Sequence, residues 1–447
     1  MIRNISYRGP LVIDTTVPGE AKADGHLPGH PGSGAIQLSK DRWIFFYATL
    51  DPRGWDASRS IVYQIRVDSP TGPLVTEKLV DKGIDDYPVE GDTRRFRKGN
   101  HMPIVFGVPM GAKRNGRLMV NHNRFVVKWV RHAILLGDDG TTYTSEAEPH
   151  LVENGVSVKN KSLRVEWMQF EYDPATDDIR ILHEPCMMRQ SGFASGDHFC
   201  IHSPCFMNHA MTSPVAEDGS CLSWVEVDTF GNTTADPHKT HGKYAAVRFR
   251  FNEQTRLYEW TDTGPLTWVE EQTVGESTIG HFNGEWLIAT RSFSAGGSTF
   301  WYRTKDPFTS LGEPVRRDGW YCPRFAYRCG DGVLRLFMNF KSVSPYDDRR
   351  NPMYVFDVNP GDFSYSEPRL VFDAHAAKLP FKQPFVDMGK LCQPHDGKQI
   401  MLFRMIGQAQ TSNLPNNTSI TDAEHEQAGI HHVEIEYDEP VPDEWQF

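Results

Sequence analysis

Short apolar runs rich in β-branched and aromatic residues recur along the chain. Trp43–Thr49 (Trp-Ile-Phe-Phe-Tyr-Ala-Thr), Ile61–Val67, Lys243–Phe251 and His431–Tyr437 are four of them. Such residues fit a pleated, half-buried surface. Clusters of Gly, Pro, Asp and Asn bound the runs. No segment holds an apolar period of 3.6 over three turns, the mark of an amphipathic helix. The pattern predicts an all-β protein of many short strands.

A weak internal repeat arranges those strands. Tight turns stand at Lys40-Asp41, Asn115-Gly116, Asp218-Gly219, Asn283-Gly284, Asp331-Gly332 and Asp396-Gly397. Most are hairpin dipeptides that tolerate positive φ. Seven residues after each glycine comes Asn123, Glu226, Arg291, Asn339 or Arg404. One slot at the end of one strand type is thus always polar, and an exposed rim facing one central site is expected there. Six units of about four strands each predict a six-bladed β-propeller, with seven blades as the alternative. A single domain over 1–447 follows. Residues 1–14 are expected to pair near Gly429–Tyr437 and close the ring. Residues 128–161 look surplus, as a long insertion or part of a seventh blade.

Composition narrows the partners. The 447 residues are 23% charged and 39% hydrophobic, which fits a soluble globular chain. A net charge of −11 argues against binding nucleic acid by phosphate neutralisation. A few pocket arginines can still override that sign locally, so an anionic small ligand stays open. No apolar run of about 18 residues is present, so no membrane helix is expected. The start shows no secretory apolar segment, and the seven cysteines form no Cys-x-x-Cys pair. Reduced thiols and a cytoplasmic location are therefore expected, with secretion as the alternative if a signal has been trimmed. Gly-rich phosphate loops are absent, and no cofactor is expected. His198 and His202 on one strand would stand about 13 Å apart, too far for one ion, so no metal is expected either. His202 reads instead as a pocket residue at an inner-strand start.

Leu136–Tyr143 (Leu-Gly-Asp-Asp-Gly-Thr-Thr-Tyr) is close to the turn pattern S-x-D-x-G-x-T-W, with weaker relatives at Thr304-Lys-Asp306-Pro and Phe356-Asp357-Val. That pattern, the Asp-box, resembles the turns of the sialidase superfamily. Glu276, fifteen residues before Arg291, is similar to that family's segment carrying a catalytic glutamate and a carboxylate-binding arginine. Asp331–Tyr354 resembles the segment with another such arginine, at Arg350 with Arg349 as its rival. Asp56 lies in the loop of the family's acid/base aspartate. The first inner strand, Pro31–Ile36, lacks the family's arginine, and Pro384-Phe385-Val386-Asp387 has phenylalanine where the family has a tyrosine nucleophile. Tyr327, Tyr346 and Tyr354 are possible substitutes. His101 and His122, 21 residues apart, are similar to the histidine pair of propeller polysaccharide lyases.

The resemblance implies roles that fit the chemistry of these side chains. The guanidinium forks of Arg291 and Arg350 match a sugar carboxylate, and Arg324 starts an inner strand beside them. Glu276 would act as a base or polarise a nucleophile. Asp56, beside Trp55, would keep its proton as a general acid. His101 and His122 would shuttle protons. The expectation is an exo-acting glycoside hydrolase on an acidic sugar or oligosaccharide. A lyase acting beside a uronic acid and a non-catalytic glycan-binding propeller are the alternatives.

Overall fold

A computed structural model describes residues 1–23, 27–32, 34–50, 58–88, 93–106, 113–114, 117–118, 123–136, 152–153, 156–157, 160–187, 220–227, 243–264, 274–292, 297–319, 322–348, 350–407 and 421–441. Six antiparallel sheets follow one another along the chain as the blades of a six-bladed β-propeller. Blade one holds Leu27–Pro31 with Ile36–Ser39, then Arg42–Leu50, Ser58–Val67 and Leu74–Asp81. Blade two holds Phe96–Phe106, Arg124–Leu135, Asn160–Asp173 and Asp178–Met187. Three strands of blade three are described, Cys221–Val227, Lys243–Asn252 and Leu257–Thr263. Blade four comprises Val274–Phe282, Glu285–Ser292, Thr299–Thr304 and Val315–Arg317. Blade five comprises Arg324–Arg328, Leu334–Asn339, Met353–Asp357 and Arg369–Phe372.

Blade six draws on both ends of the chain. Pro384–Leu391, Gly397–Gly407 and Gly429–Val441 are joined by the N-terminal strand Ile2–Ile13. Its register runs from Ile2 opposite Tyr437 to Ile13 opposite Gly429. The outer edge of Gly429–Val441 is thereby paired, as an exposed edge would otherwise invite association.

Burial explains the apolar runs. Every residue from Trp43 to Leu50 is buried, whereas the outer strand Leu74–Asp81 has no buried residue. The second strand of a blade lies between two neighbouring blades, so both its faces are apolar. Phe46, Phe125 and Phe170 seal blade one against blade two. Trp301 of blade four stacks on Phe363 of blade five at 5.0 Å. Gly32 lets blades one and two touch: a Cβ there would lie 1.6 Å from the Pro103 carbonyl oxygen.

Three expectations are corrected here. Residues 128–135 and 160–161 are not surplus, because they belong to the second and third strands of blade two, where Lys128 pairs Trp167 and Ile134 pairs Asn160. With six sheets in the ring, the seven-blade alternative falls. Asn123 does not end a second strand: it precedes Arg124–Leu135 at a φ of 56°.

A turn motif recurs between the third and fourth strands of four blades. Asp173, Asn252, Asp306 and Asn359 each accept, through Oδ1, the backbone N–H two residues on, at 2.8–3.0 Å. These Asx turns replace backbone turns at the cost of one short polar side chain. Asp306 thus fills the turn role expected of it. Asp357 does not, since its carboxylate accepts from Arg335 Nε at 2.7 Å and the turn belongs to Asn359. The near Asp-box at 136–143 lies, beyond Leu136, outside the described residues.

Candidate functional site

Inner strands begin, and second strands end, at the same end of the ring. Gly275 stands opposite Arg291 in blade four, Arg324 opposite Met338 in blade five, and Asp387 opposite Arg404 in blade six. The polar slot therefore points inward. Arg291, Asn339 and Arg404 are 5%, 3% and 1% exposed, so the slot is a buried polar ring and not an exposed rim. Neighbouring blades contact two of these side chains, as Asn339 donates to the Val386 carbonyl of blade six and Arg404 reaches His30 of blade one.

Cys322 feels the charges of Arg291, Arg324 and Arg350. Burial pushes the Cys322 thiol up, and the positive charges of Arg324, Arg291 and Arg350 all pull against that rise. Its Sγ donates to the Asn339 carbonyl at 3.1 Å. Arg324 is fully buried; it donates to Thr299 Oγ1 at 2.5 Å and to the Cys322 carbonyl at 3.3 Å. Gly319 gives it room, as a Cβ there would lie 2.2 Å from Arg324 Nη1. Glu276 sits across the hairpin from Arg291. The ladder slips at Glu276, between Gly275 opposite Arg291 and Ser277 opposite Thr290. Such bulges re-aim side chains and often lie beside active sites.

A second network adjoins the first. Asp387 accepts a fork from Arg404, Nε to Oδ1 and Nη2 to Oδ2, both at 2.7 Å, and Arg350 Nη1 donates to the same Oδ2. Burial alone would raise the Asp387 pKa, but Arg404 and Arg350 outweigh it and hold the carboxylate below its ordinary range. Phe385 lies on the same face two residues earlier. The Arg350 and Arg404 guanidiniums are 4.3 Å and 5.2 Å from its ring centroid, a cation–π arrangement. The remaining Nη1 of Arg404 reaches His30 Nε2 of blade one at 2.7 Å. Burial, then Arg404, drive the His30 pKa well down. Its Nε2 accepts, since guanidinium only donates. Arg350 is therefore not a freestanding half of a clamp, because an internal carboxylate already engages it.

Outward of Arg350, the loops at this end carry a third cluster. Tyr346 OH donates to Asp373 Oδ2 at 3.0 Å, and that bond raises its pKa. His375 Nε2 lies 2.6 Å from Asp348 Oδ2, and its ring meets the Tyr346 ring edge-on at 4.6 Å. Asn351 ties the two halves together by donating to both aspartates at 3.3 Å. Of the three candidate tyrosines, only Tyr346 pairs with a carboxylate. Tyr327 OH donates to the Gly389 carbonyl at 3.0 Å and Tyr354 OH to the Val343 carbonyl at 3.3 Å.

Among the expected site residues, Arg324 donates to Thr299, the residue opposite Arg291, the Glu276 backbone lies in the same hairpin as Arg291, and Arg350 reaches across to Asp387 of blade six. Asp56, His122, His202 and Arg349 lie outside the described residues. His101 does not open its inner strand: it stands within Phe96–Phe106, opposite Val130. Asp387, His30, Asp348, Asp373 and His375 were not singled out by the sequence. Arg404 was singled out only by its slot, and Asp387 carried one signal, a carboxylate within the largely apolar inner strand Pro384–Leu391. Among the described residues, no group of three or more His, Cys, Asp or Glu side chains could hold a metal ion, and no helix is long and apolar enough to cross a membrane.

No protein-family model matches the chain, and neither does any curated protein. Solved structures do. A Dyadobacter fermentans protein of unknown function matches with a TM-score of 0.54 and 9% identity, over 97% of this chain and 99% of that one. Trypanosoma rangeli sialidase matches at a TM-score of 0.53 and 9% identity, over 98% of this chain and 60% of that one. The same sialidase in complex with sialic acid gives 0.52 and 10%, over 98% and 59%. The chain thus spans about three-fifths of the sialidase chains, and at these identities the likeness is one of fold. The protein has the six-bladed β-propeller fold of the sialidases.

Proposed function

We propose that this protein binds a carboxylate-bearing sugar through Arg291, Arg324 and Arg350, and hydrolyses its glycosidic bond as an exo-acting glycoside hydrolase. The observation that carries the reading is a pair of buried arginines at one end of blades four and five, where Arg324 donates to Thr299, the residue opposite Arg291. Guanidinium forks bind carboxylates by paired, charge-assisted bonds, and a desolvated site makes such bonds stronger. The sialidase of the same fold is recorded with sialic acid bound, which favours an acidic sugar as first probe. In this reading Glu276 is the base or polarising carboxylate and Asp56 the acid.

One observation favours a second reading. Phe385 occupies the inner-strand position expected of a nucleophile and is covered by Arg350 and Arg404. A phenyl ring cannot form a glycosyl bond, so elimination beside a uronic acid, with His101 or His122 as base, is the runner-up. Incubation with acidic oligosaccharides, followed by ultraviolet absorbance, separates the two. Elimination leaves a C4–C5 double bond that absorbs, and hydrolysis does not. No cleavage of any acidic oligosaccharide in the panel would overturn both.

A further inference from the structure

We infer that Asp387 is a positioning residue for anion recognition, a shared carboxylate through which blade six holds Arg350 and Arg404 in place. The inference rests on the proposed binding of an acidic sugar, and it assigns a task to residues that reading leaves idle. Four observations support it. Asp387 is 1% exposed, so its charge serves the interior and not the solvent. Both its oxygens are used: Arg404 takes Oδ1 and Oδ2 at 2.7 Å each, and Arg350 shares Oδ2. Arg350 is fixed a second way, since its carbonyl accepts from Val386 N at 2.9 Å while its guanidinium lies over Phe385. Arg404 is fixed a second way too, against His30 of blade one.

Flexible arginine side chains lose rotamer freedom when they grip a ligand. A carboxylate that has already ordered Arg350 removes part of that cost. Arg404 supplies a cation from blade six that contacts blade one, whose own inner strand Leu27–Pro31 carries His30 and no arginine. The ring seam and the anion site are thus built on one carboxylate.

The alternative role for Asp387 is a mere counterweight that lowers the positive potential of the site. The two roles predict opposite signs. Asp387→Asn keeps the shape and removes one negative charge. A counterweight, once removed, would tighten binding of any anion. A positioning residue, once removed, lets Arg350 and Arg404 wander and weakens it. The test is titration calorimetry of the full chain with sialic acid and with glucuronate, with glucose as the neutral control, beside a thermal unfolding curve. The expected result for Asp387→Asn is anion binding at least about tenfold weaker, the scale of one lost charge-assisted bond, with glucose unchanged. Arg404→Lys serves if Asp387→Asn fails to fold. It conserves charge and loses the fork, and the same loss of anion binding is expected. Anion binding by either folded variant as tight as wild type, or tighter, overturns the positioning role while the acidic-sugar reading stands. Wild type that binds neither acid overturns both.

Discussion

The hydroxyl of Tyr7 lies 2.7 Å from Nδ1 of His431, and Nε2 of the same ring lies 2.8 Å from the Gln427 carbonyl. Tyr7 belongs to the N-terminal strand Ile2–Ile13, the fourth of blade six, and His431 to its third strand, so this bond joins the two ends of the chain. Deleting residues 2–13 removes the fourth strand of that blade and the partner of every residue from Gly429 to Tyr437. Loss of a single cooperative unfolding transition is expected in calorimetry. Tyr7→Phe should cost only about 1 kcal/mol, the net worth of one hydrogen bond. A deletion variant that melts like wild type would contradict the closure.

The same seam makes stability depend on pH. Burial lowers the pKa of both His431 and His432 to about 4. An unfolded histidine titrates near 6.5. Between about 6.5 and about 4 the unfolded chain therefore takes up protons that the folded chain refuses. The stability from these neutral rings is complete above about pH 6.5 and is lost progressively as pH falls through that window. The melting temperature should drop between about pH 7 and about pH 5, and His431→Gln should reduce the slope. Equal slopes in the two proteins would show that His431 is not the titrating group.

Arg291 is the arginine best placed to test the clamp, as it is buried at the end of its strand and stands opposite Gly275, beside the Glu276 bulge. Arg291→Ala should weaken acidic-sugar binding by about 1.5–3 kcal/mol per lost charge-assisted bond. Arg291→Lys should also bind poorly, since it keeps the charge but not the fork. Calorimetry with an acidic sugar checks both, and near-normal binding by the lysine variant would show that charge alone suffices.

Proton transfer separates the two reaction classes. If Glu276 is the base, Glu276→Gln should lower turnover at least about a hundredfold, and His122→Ala should cost less. If His101→Ala and His122→Ala abolish turnover while Glu276→Gln stays within a few-fold, the elimination reading replaces hydrolysis. Single-turnover rates on one acidic substrate decide the matter.

Much of the fold was legible because a propeller repeats its local signals. Asn283-Gly284, Asp331-Gly332 and Asp396-Gly397 do join first and second strands. Counting seven residues onward found Arg291, Asn339 and Arg404, which share a structural position. The slot's burial was not legible, because a polar strand end looks the same in sequence whether it faces water or a neighbouring blade. A second repeat was legible only in part, at Asp306 among the relatives of the Asp-box: Asp173-Pro-Ala-Thr, Asn252-Glu-Gln-Thr, Asp306-Pro-Phe-Thr and Asn359-Pro-Gly-Asp are the Asx turns between third and fourth strands. Asp or Asn followed by Pro or a polar residue is too common to stand out until the spacing is aligned on a structure. The Asp387 network was hidden for another reason. Its four members, His30, Arg350, Asp387 and Arg404, meet only when the ring closes, so no local pattern links them.

The central claim is that a sugar carboxylate is what the arginines recognise and what cleavage requires. Its most direct test incubates the protein with an acidic oligosaccharide and with the same oligosaccharide after reduction of its carboxyl groups to alcohols, both followed by mass spectrometry. The account predicts cleavage of the acid and no detectable cleavage of the reduced form, with Arg291→Ala failing on both. Equal cleavage of the two by wild type would contradict it.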